Sequence, residues 1–438
     1  MAGGAIALPL LTEDQPFMNA PLQSLSIEPI TAPLKGKVVL PGSKSVTNRV
    51  LLLAGLARGT SRLTGALKSD DTLYMAQALR QMGVSVEQPD ATSFIVRSTG
   101  ALQAPDAPLF LGNAGTAVRF LTAASALVRG TVVVGGDANM ARRPIAPLVA
   151  ALQRLGIDAT APSGCPPVTI HGTGLLDGGE VEIDASLSSQ YVSALLMMAG
   201  CSRRPVRISL SGPHIGAQGY IGLTIAAMKA FGASVASTDD TSWTVAPGGY
   251  TATDFRIEPD ASAATYLWAA QALSGGDIDI GFPIADFTQP DAAAWRVIRS
   301  FPHMPAVIDG SQMQDAIPTL AVMAMFNATP VRFVGIANLR VKECDRTHAL
   351  ATQMQRINPG YAREEGDDLL VFPDPDPSAT AKNVRIETYD DHRIAMSFAL
   401  AALKIPGLSI LNPGCVAKTF PAYWDTLRAL GVRIHPGD

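Results

Sequence analysis

A pattern of about 70 residues is written six times along this chain, and no other feature of the sequence restricts the fold so strongly. Each copy reads as a helix, a short strand, a second helix and a strand pair. The first copy sets the template: helix 50–57, strand 61–64, helix 71–82 stopping at Gly83, then strands 84–87 and 94–97. The second copy reads 116–127, 131–134, 145–155 with Gly156, and 168–171; the third reads 188–200, 206–210, 221–231 with Gly232, and 243–246. The fourth opens with helix 261–273, strand 277–280 and helix 291–300, but 301–314 offers only interrupted pieces, which predicts a shortened or missing hairpin. The fifth runs from 317 through helix 348–356 and strand 369–372, and the sixth through 392–402, 408–411 and 421–430 with Gly431.

Units of this length are too long for common solenoids, and 438 residues exceed what one hydrophobic core usually holds. Three units per domain is the reading that fits, with a crossing near 250–253. The strands around 26–30 are expected to pair with the second domain. This predicts an N-terminal extension at 1–23, a first domain at 42–257, and a second domain made of 24–41 plus 258–438. With 47% hydrophobic and 16% charged residues, there is apolar material for two large cores.

The opening motif Leu40-Pro41-Gly42-Ser43-Lys44-Ser45-Val46-Thr47-Asn48-Arg49 reads as the end of a strand at 37–40, a turn, and a helix N-terminus capped by Ser43 or Ser45. Unpaired N–H groups and the positive end of the helix dipole suit an anion there, with Lys44 and Arg49 able to reach it. A Walker-type phosphate loop needs Gly and Lys adjacent, and Ser43 separates them here. The plain alternative is a capped surface helix with two solvated cations.

Charge recurs at the same place in other units. Gly112-Asn113-Ala114-Gly115-Thr116-Ala117-Val118-Arg119, Arg142-Arg143-Pro144-Ile145, Ser188-Ser189-Gln190, Arg340-Val341-Lys342-Glu343-Cys344-Asp345-Arg346, Asp390-Asp391-His392-Arg393 and Lys418 all lie at turns or helix starts. Two domains presenting such helix ends to each other would enclose a positive cleft. A formal net charge of −4 argues against a broad nucleic-acid surface, so the anion site is local. Cys165, Cys201, Cys344 and Cys415 are far apart, as are His171, His214, His303, His348, His392 and His435, which favours reduced thiols and no metal site. Residues 5–11 form an apolar patch without a basic flank or cleavage pattern, so no signal peptide is read, and Met18 offers an alternative start. No apolar run is long enough to span a bilayer. A cytoplasmic protein, monomeric and without membrane or nucleic-acid partners, is expected.

Taken in order, these motifs, with Ala417-Lys418-Thr419-Phe420-Pro421, closely resemble the 5-enolpyruvylshikimate-3-phosphate synthase family, over nearly everything after about residue 24. The resemblance implies a two-domain inside-out α/β barrel, with three repeats of a βαβαββ-type unit per domain. It implies transfer of the enolpyruvyl group of phosphoenolpyruvate to the 5-hydroxyl of shikimate 3-phosphate, releasing phosphate, in aromatic amino-acid biosynthesis, with no metal and no organic cofactor. By motif match, Lys44, Ser45, Arg49, Ser188, Ser189, Gln190, Tyr220, Asp315, Asn338 and Lys342 would hold shikimate 3-phosphate. Lys44, Asn113, Gly115, Arg143, Gln190, Arg346, Arg393 and Lys418 would hold phosphoenolpyruvate, with Arg119 lining or supporting that site. The family also implies that the herbicide glyphosate occupies the phosphoenolpyruvate site, where Gly115 would leave it room.

An enol ether is a poor electrophile, so its methylene carbon must gain a proton as the hydroxyl attacks, and lose one when phosphate leaves. The resemblance gives that work to Glu343, mainly at the methylene carbon, and to Asp315 at the hydroxyl, with Lys44 a further candidate for the hydroxyl. An ion pair of Glu343 with Arg340 or Arg346 is the purely structural alternative. The chain departs from the family where Ala217 replaces a serine three residues before Tyr220, and where Phe120 replaces a proline after Arg119. Two rival readings stand beside this one. In the first, the acceptor is UDP-N-acetylglucosamine, which Lys44-Ser45 and Ser188-Ser189-Gln190 disfavour; Cys165 lies outside any matching loop motif. The second is an inactive anion-binding relative, against which the presence of both Asp315 and Glu343 argues.

Overall fold

The alternation of helix and strand inside one unit gives each sheet the same internal order. The structure, a computed structural model, describes residues 24–212, 216–374 and 383–437. The N-terminal extension 1–23 with Met18, and His214, lie outside the described residues. In the second unit, Leu109–Phe110 runs parallel to Arg129–Gly135, because helix Gly115–Ala124 carries the chain back between them. Val168–Thr173 then pairs antiparallel with Arg129–Gly135, and Asp158–Thr160 lies outside it. The third unit repeats this order with Gly179–Ile183, Val206–Leu210, Ser242–Val245 and Val235–Asp239, and the fifth with Val307–Asp309, Val331–Val334, Asp368–Val371 and Ala362–Glu365.

Three units borrow strands from elsewhere in the chain. The first takes its leading strand from Tyr250–Thr251 and Phe255–Arg256, which run parallel to Ala57–Thr64. The fourth takes Lys35–Lys37, parallel to Asp277–Asp279, and that two-stranded sheet carries no hairpin, as the interrupted sequence predicts. In the sixth, Ser24–Ile27 lies antiparallel between Leu408–Leu411 and Ile434–Pro436, which meets the expectation for the N-terminal strand.

Some boundaries differ for physical reasons. The strand expected at 37–40 is Lys35–Lys37; beyond it Val38 and Leu40 are buried while Val39 is exposed, and the last bond to the neighbouring strand is Val38 N to Asp279 O at 2.9 Å. The helix expected at 291–300 is a tight turn, Pro290–Ala293, followed by Ala294–Ile298. The helix expected at 188–200 begins only at Gln190, because the Ser188 hydroxyl accepts the Gln190 N–H at 3.2 Å and holds the preceding residues in a turn. Helix Lys44–Leu56 begins before the apolar run at 50, with Ser43 as its cap, as the turn signal predicts.

Two clusters of buried side chains form the interior. One is drawn from residues 46–257, the other from 27–40 and 263–432. In the first, helices Lys44–Leu56, Gly115–Ala124 and Gln190–Ala199 are buried almost all round and pack on one another. Ala261–Ser274, Ile317–Ala324 and His392–Ala402 do the same in the second. Lys44, Gly115, Gln190 and Arg393, at the N-terminal ends of four of these helices, line the cavities described below.

Candidate active site

Backbone geometry explains the Pro41-Gly42 turn. Gly42 bridges Pro259 where the two crossings between the cores run side by side, and a side chain on Gly42 would collide with the Gly65 carbonyl oxygen, 1.9 Å from the ideal Cβ position. The Ser43 hydroxyl accepts from Val46 N at 3.3 Å and donates to Gln289 Oε1 at 2.9 Å. Lys44 N donates to Asp260 Oδ2 at 3.2 Å, while Asp260 Oδ1 caps the helix Ala261–Ser274. The two helix starts therefore hold each other, and Lys44 is aimed into the cleft.

Two adjoining cavities open there. Ser45, Arg49, Ser188, Ser189, Gln190, Tyr220, Asp315, Asn338 and Lys342 line the first, together with Ala217 and Gln314. Lys44, Gly115, Arg143, Gln190, Glu343, Arg346 and Arg393 line the second, with Thr116 and Asp71. Ser45, Gln190, Asp315 and Lys342 belong to both, so a ligand in one touches the wall of the other. Asn113 and Lys418 line neither of these but a third cavity, where Lys418 Nζ donates to the Asn113 carbonyl oxygen at 2.9 Å; they join the second through Arg143, which donates to Asn113 Oδ1 at 3.0 Å, and through Glu343, 3.1 Å from Lys418. Arg119 lines neither cavity. It turns inward to donate to Gly115 O at 2.9 Å and Pro144 O at 3.2 Å, supporting the backbone that carries Gly115 and Arg143.

In the first cavity Arg49 is 1% exposed, and its guanidinium is bound by Thr224 Oγ1 at 2.7 Å, Ser45 O at 2.9 Å and Ser193 Oγ at 3.3 Å. It lies between the rings of Phe120, 5.2 Å away, and Tyr220, 5.6 Å away. Among the described residues no carboxylate pairs with it, and burial lowers it to about 10. Phe120 thus fills a specific place, as one face of an arginine clamp. Ala217 sits at φ 59, its N–H bonded to Ser311 O at 2.6 Å. Asn338 donates to the Gln314 side-chain oxygen.

The second cavity is held by carboxylates paired with cations. Arg346 is 1% exposed and bonds Glu343 at 2.7 Å, Asp315 at 3.1 Å and Asp391 at 2.7 Å. Arg393 bonds Asp315 at 2.8 Å, and Lys418 reaches Glu343 at 3.1 Å. Lys44 pairs with Asp71 at 3.3 Å. Burial alone would raise both Asp315 and Glu343. For Glu343 it is outweighed by Lys418, Arg346, Arg143 and Lys44, and for Asp315 by Arg393, Lys342 and Arg346, so both lie below the usual carboxylate range. The ion pair of Glu343 with Arg346 is real, whereas Arg340 turns away to Asp345, Glu364 and Asp367.

Several participants carried no readable signal. Asp71 looked like an ordinary first-turn acid on helix Asp70–Gln81, where carboxylates are favoured by the helix dipole alone. Asp391 lies inside a quoted motif, but its double duty as helix cap and Arg346 partner needs the fold. Thr224 and Ser193 sit in apolar helices, and Gln289 and Asp291 in the unit that lost its hairpin. The thiols of Cys201, Cys344 and Cys415 are raised by burial, and among the described residues no group of His, Cys, Asp and Glu is arranged for a metal ion.

A cleft between two α/β cores, lined by cations paired with buried carboxylates, with Asp315 on the wall of both cavities and Glu343 in the second, defines an enzyme that brings two small anions together and moves protons between them. The chain belongs to the EPSP synthase (3-phosphoshikimate 1-carboxyvinyltransferase) family, whose model matches residues 29–427. A 3-phosphoshikimate 1-carboxyvinyltransferase of Rhizobium leguminosarum bv. trifolii is 65% identical over 414 residues, covering 94% of this chain and 99% of the relative. That of Pseudomonas savastanoi pv. phaseolicola is 63% identical over the same shares. Among solved structures, EPSP synthase from Acinetobacter baumannii superposes with a TM-score of 0.76 at 25% identity, covering 94% of this chain and all of that one.

Proposed function

We propose that this chain transfers the enolpyruvyl group of phosphoenolpyruvate to the 5-hydroxyl of shikimate 3-phosphate, with the phosphorylated acceptor in the first cavity and phosphoenolpyruvate in the second. The observation that carries the reading is Arg346, which in the second cavity holds both Glu343 and Asp315, the latter also on the wall of the first. On this reading the cores are the two domains of an inside-out barrel, residues 42–257 against 24–41 with 258–438, acting as a cytoplasmic monomer. Among the described residues no helix is long and apolar enough to cross a membrane.

Arg49 with Ser188, Ser189 and Gln190 takes the acceptor phosphate, and Asp315, Asn338 and Lys342 its ring hydroxyls. Arg143, Arg346, Arg393, Lys44 and Lys418 take the carboxylate and phosphate of phosphoenolpyruvate, which replace Glu343 and Asp315 as partners of Arg346, Arg393 and Lys418. Losing cations to the substrate raises both carboxyls toward values where they exchange protons. Asp315, with Lys44, draws the proton from the 5-hydroxyl as its oxygen attacks the central carbon, and Glu343 delivers one to the methylene carbon, giving a methyl group. In the tetrahedral intermediate the methyl group returns a proton to Glu343, the C–O bond to phosphate breaks as the departing phosphate takes up the proton that came from the hydroxyl, and the double bond re-forms.

The test is the purified chain with phosphoenolpyruvate and either shikimate 3-phosphate or UDP-N-acetylglucosamine, following phosphate and product mass. Release with the first acceptor and none with the second is expected. The reverse result overturns the reading, and release with neither would mean an anion-binding relative.

A further inference from the structure

The fourth unit supplies no residue assigned above to either substrate, yet one of its side chains reaches the acceptor cavity from behind. Asp291, in the turn Pro290–Ala293, is fully buried, and its Oδ2 accepts the Tyr220 hydroxyl at 2.5 Å and the Ser262 hydroxyl at 3.1 Å. Tyr220 belongs to the other core. It lies on helix Gly219–Ala230, lines the acceptor cavity, and presents its ring to Arg49 at 5.6 Å. Asp291 Oδ1 is buried without a hydrogen-bond partner among the described residues. A buried carboxylate bound only by neutral hydroxyls is costly, and burial, then Asp315, pushes its carboxyl up to about 6. The same stretch also meets the cap of the first helix, since Gln289 receives the Ser43 hydroxyl at 2.9 Å and donates to Pro259 O at 2.7 Å.

We propose that Asp291 is a positioning residue for the phosphorylated acceptor, gripping the Tyr220 hydroxyl across the two cores so that the tyrosine ring is held against Arg49. The chain of contact is Asp291 to Tyr220 to Arg49, and Asp291 touches no substrate. Arg49 has Phe120 fixed on one side within its own core, so Tyr220 is the face of the clamp that the other core controls. The hairpin lost from this unit leaves its helix turn free to serve the neighbouring core. The proposal rests on the reading that the first cavity takes shikimate 3-phosphate.

Steady-state kinetics with shikimate 3-phosphate and phosphoenolpyruvate test it in the full chain, in Asp291→Ala, Asp291→Asn and Tyr220→Phe, and in the Asp291→Ala/Tyr220→Phe double variant. Each of Asp291→Ala and Tyr220→Phe should raise KM for shikimate 3-phosphate about tenfold and move that for phosphoenolpyruvate less than about twofold, the double variant being no worse than the worse single one. Asp291→Asn, whose amide oxygen accepts the same bond, should recover most of the loss. Multiplying effects in the double variant, equal rises in both KM values, or an unchanged KM in Tyr220→Phe would each overturn the proposal. Tyr220→Phe removes the bond without emptying the Asp291 site, so the proposal can fail even where Asp291→Ala does not fold. Failure of the wild-type chain to use shikimate 3-phosphate would instead strike the functional reading, and is seen before any variant is made.

Discussion

Lys418 and Asn113, 305 residues apart, meet across the cleft where the lysine ammonium donates to the Asn113 carbonyl oxygen at 2.9 Å. The same ammonium lies 3.1 Å from Glu343, and Asp71 and Glu343 raise its pKa against the effect of burial. A phosphate that takes Lys418 therefore acts on the contact between the cores and on the protonation of Glu343 at once. Under the proposed function, substrate binding, cleft geometry and acid–base readiness would be coupled through this one side chain.

Glu343→Gln keeps the shape and removes the titrating group. Turnover should fall by a factor on the order of 10² or more while both KM values stay close to wild type. A variant with nearly full turnover would leave Glu343 as the partner of Arg346 and nothing more.

Ala217→Ser tests the hydroxyl missing from the acceptor cavity. At φ 59 alanine already carries the strain of a left-handed backbone, so serine adds little, and it should tighten shikimate 3-phosphate by about 0.5–1.5 kcal/mol if it reaches the phosphate. Calorimetric titration decides; equal affinities would show that the cavity already satisfies that oxygen.

Gly115→Ala should separate inhibitor from substrate. The new Cβ would stand 2.7 Å from Arg119 Nη1 and 2.8 Å from Arg143 Nη2, so both guanidinium ends must shift, and Arg143 is part of the wall of the second cavity. Glyphosate is expected to compete with phosphoenolpyruvate in the wild type, and the ratio of its Ki to the KM for phosphoenolpyruvate should rise in the variant. If inhibition and substrate affinity shift together, Gly115 does not discriminate between them.

Asp291 sets a pH dependence of stability. Its folded value of about 6 lies above the 3.8 of a free carboxyl, so its contribution is present below about pH 4 and is lost as pH rises through about 6. Asp291→Asn removes this dependence, and its melting temperature relative to wild type should increase between pH 5 and pH 7.5, by the equivalent of a contribution on the order of 2 kcal/mol. Parallel melting curves at the two pH values would contradict it.

Local signals made the central helices and their starts readable. Ser43 stands before an apolar run, Gly83, Gly156, Gly232 and Gly431 all have positive φ just past a helix, and the absence of such a stop after 300 marked the lost hairpin. The leading strands were not readable for the opposite reason: Leu109–Phe110 is too short to show a period, and Val307–Asp309 is exposed at both ends. At the site, side chains in recognisable motifs could be named, whereas Asp71 and Asp291 act through partners that only the fold supplies. No local pattern distinguishes a helix-start aspartate facing water from one facing Lys44 or Tyr220.

The place of Ser24–Ile27 between Leu408–Leu411 and Ile434–Pro436 has a consequence for how the chain is made. At about 5–20 residues per second, a ribosome needs roughly 20–80 s to deliver the strands that flank it. The first core has its own leading strand in Tyr250–Thr251 and can close well before synthesis ends. Throughout that interval the early strand has both edges bare, available to another nascent chain. The second core therefore carries the hazard of aggregation during synthesis, and its yield depends on keeping that strand solitary until translation is nearly complete.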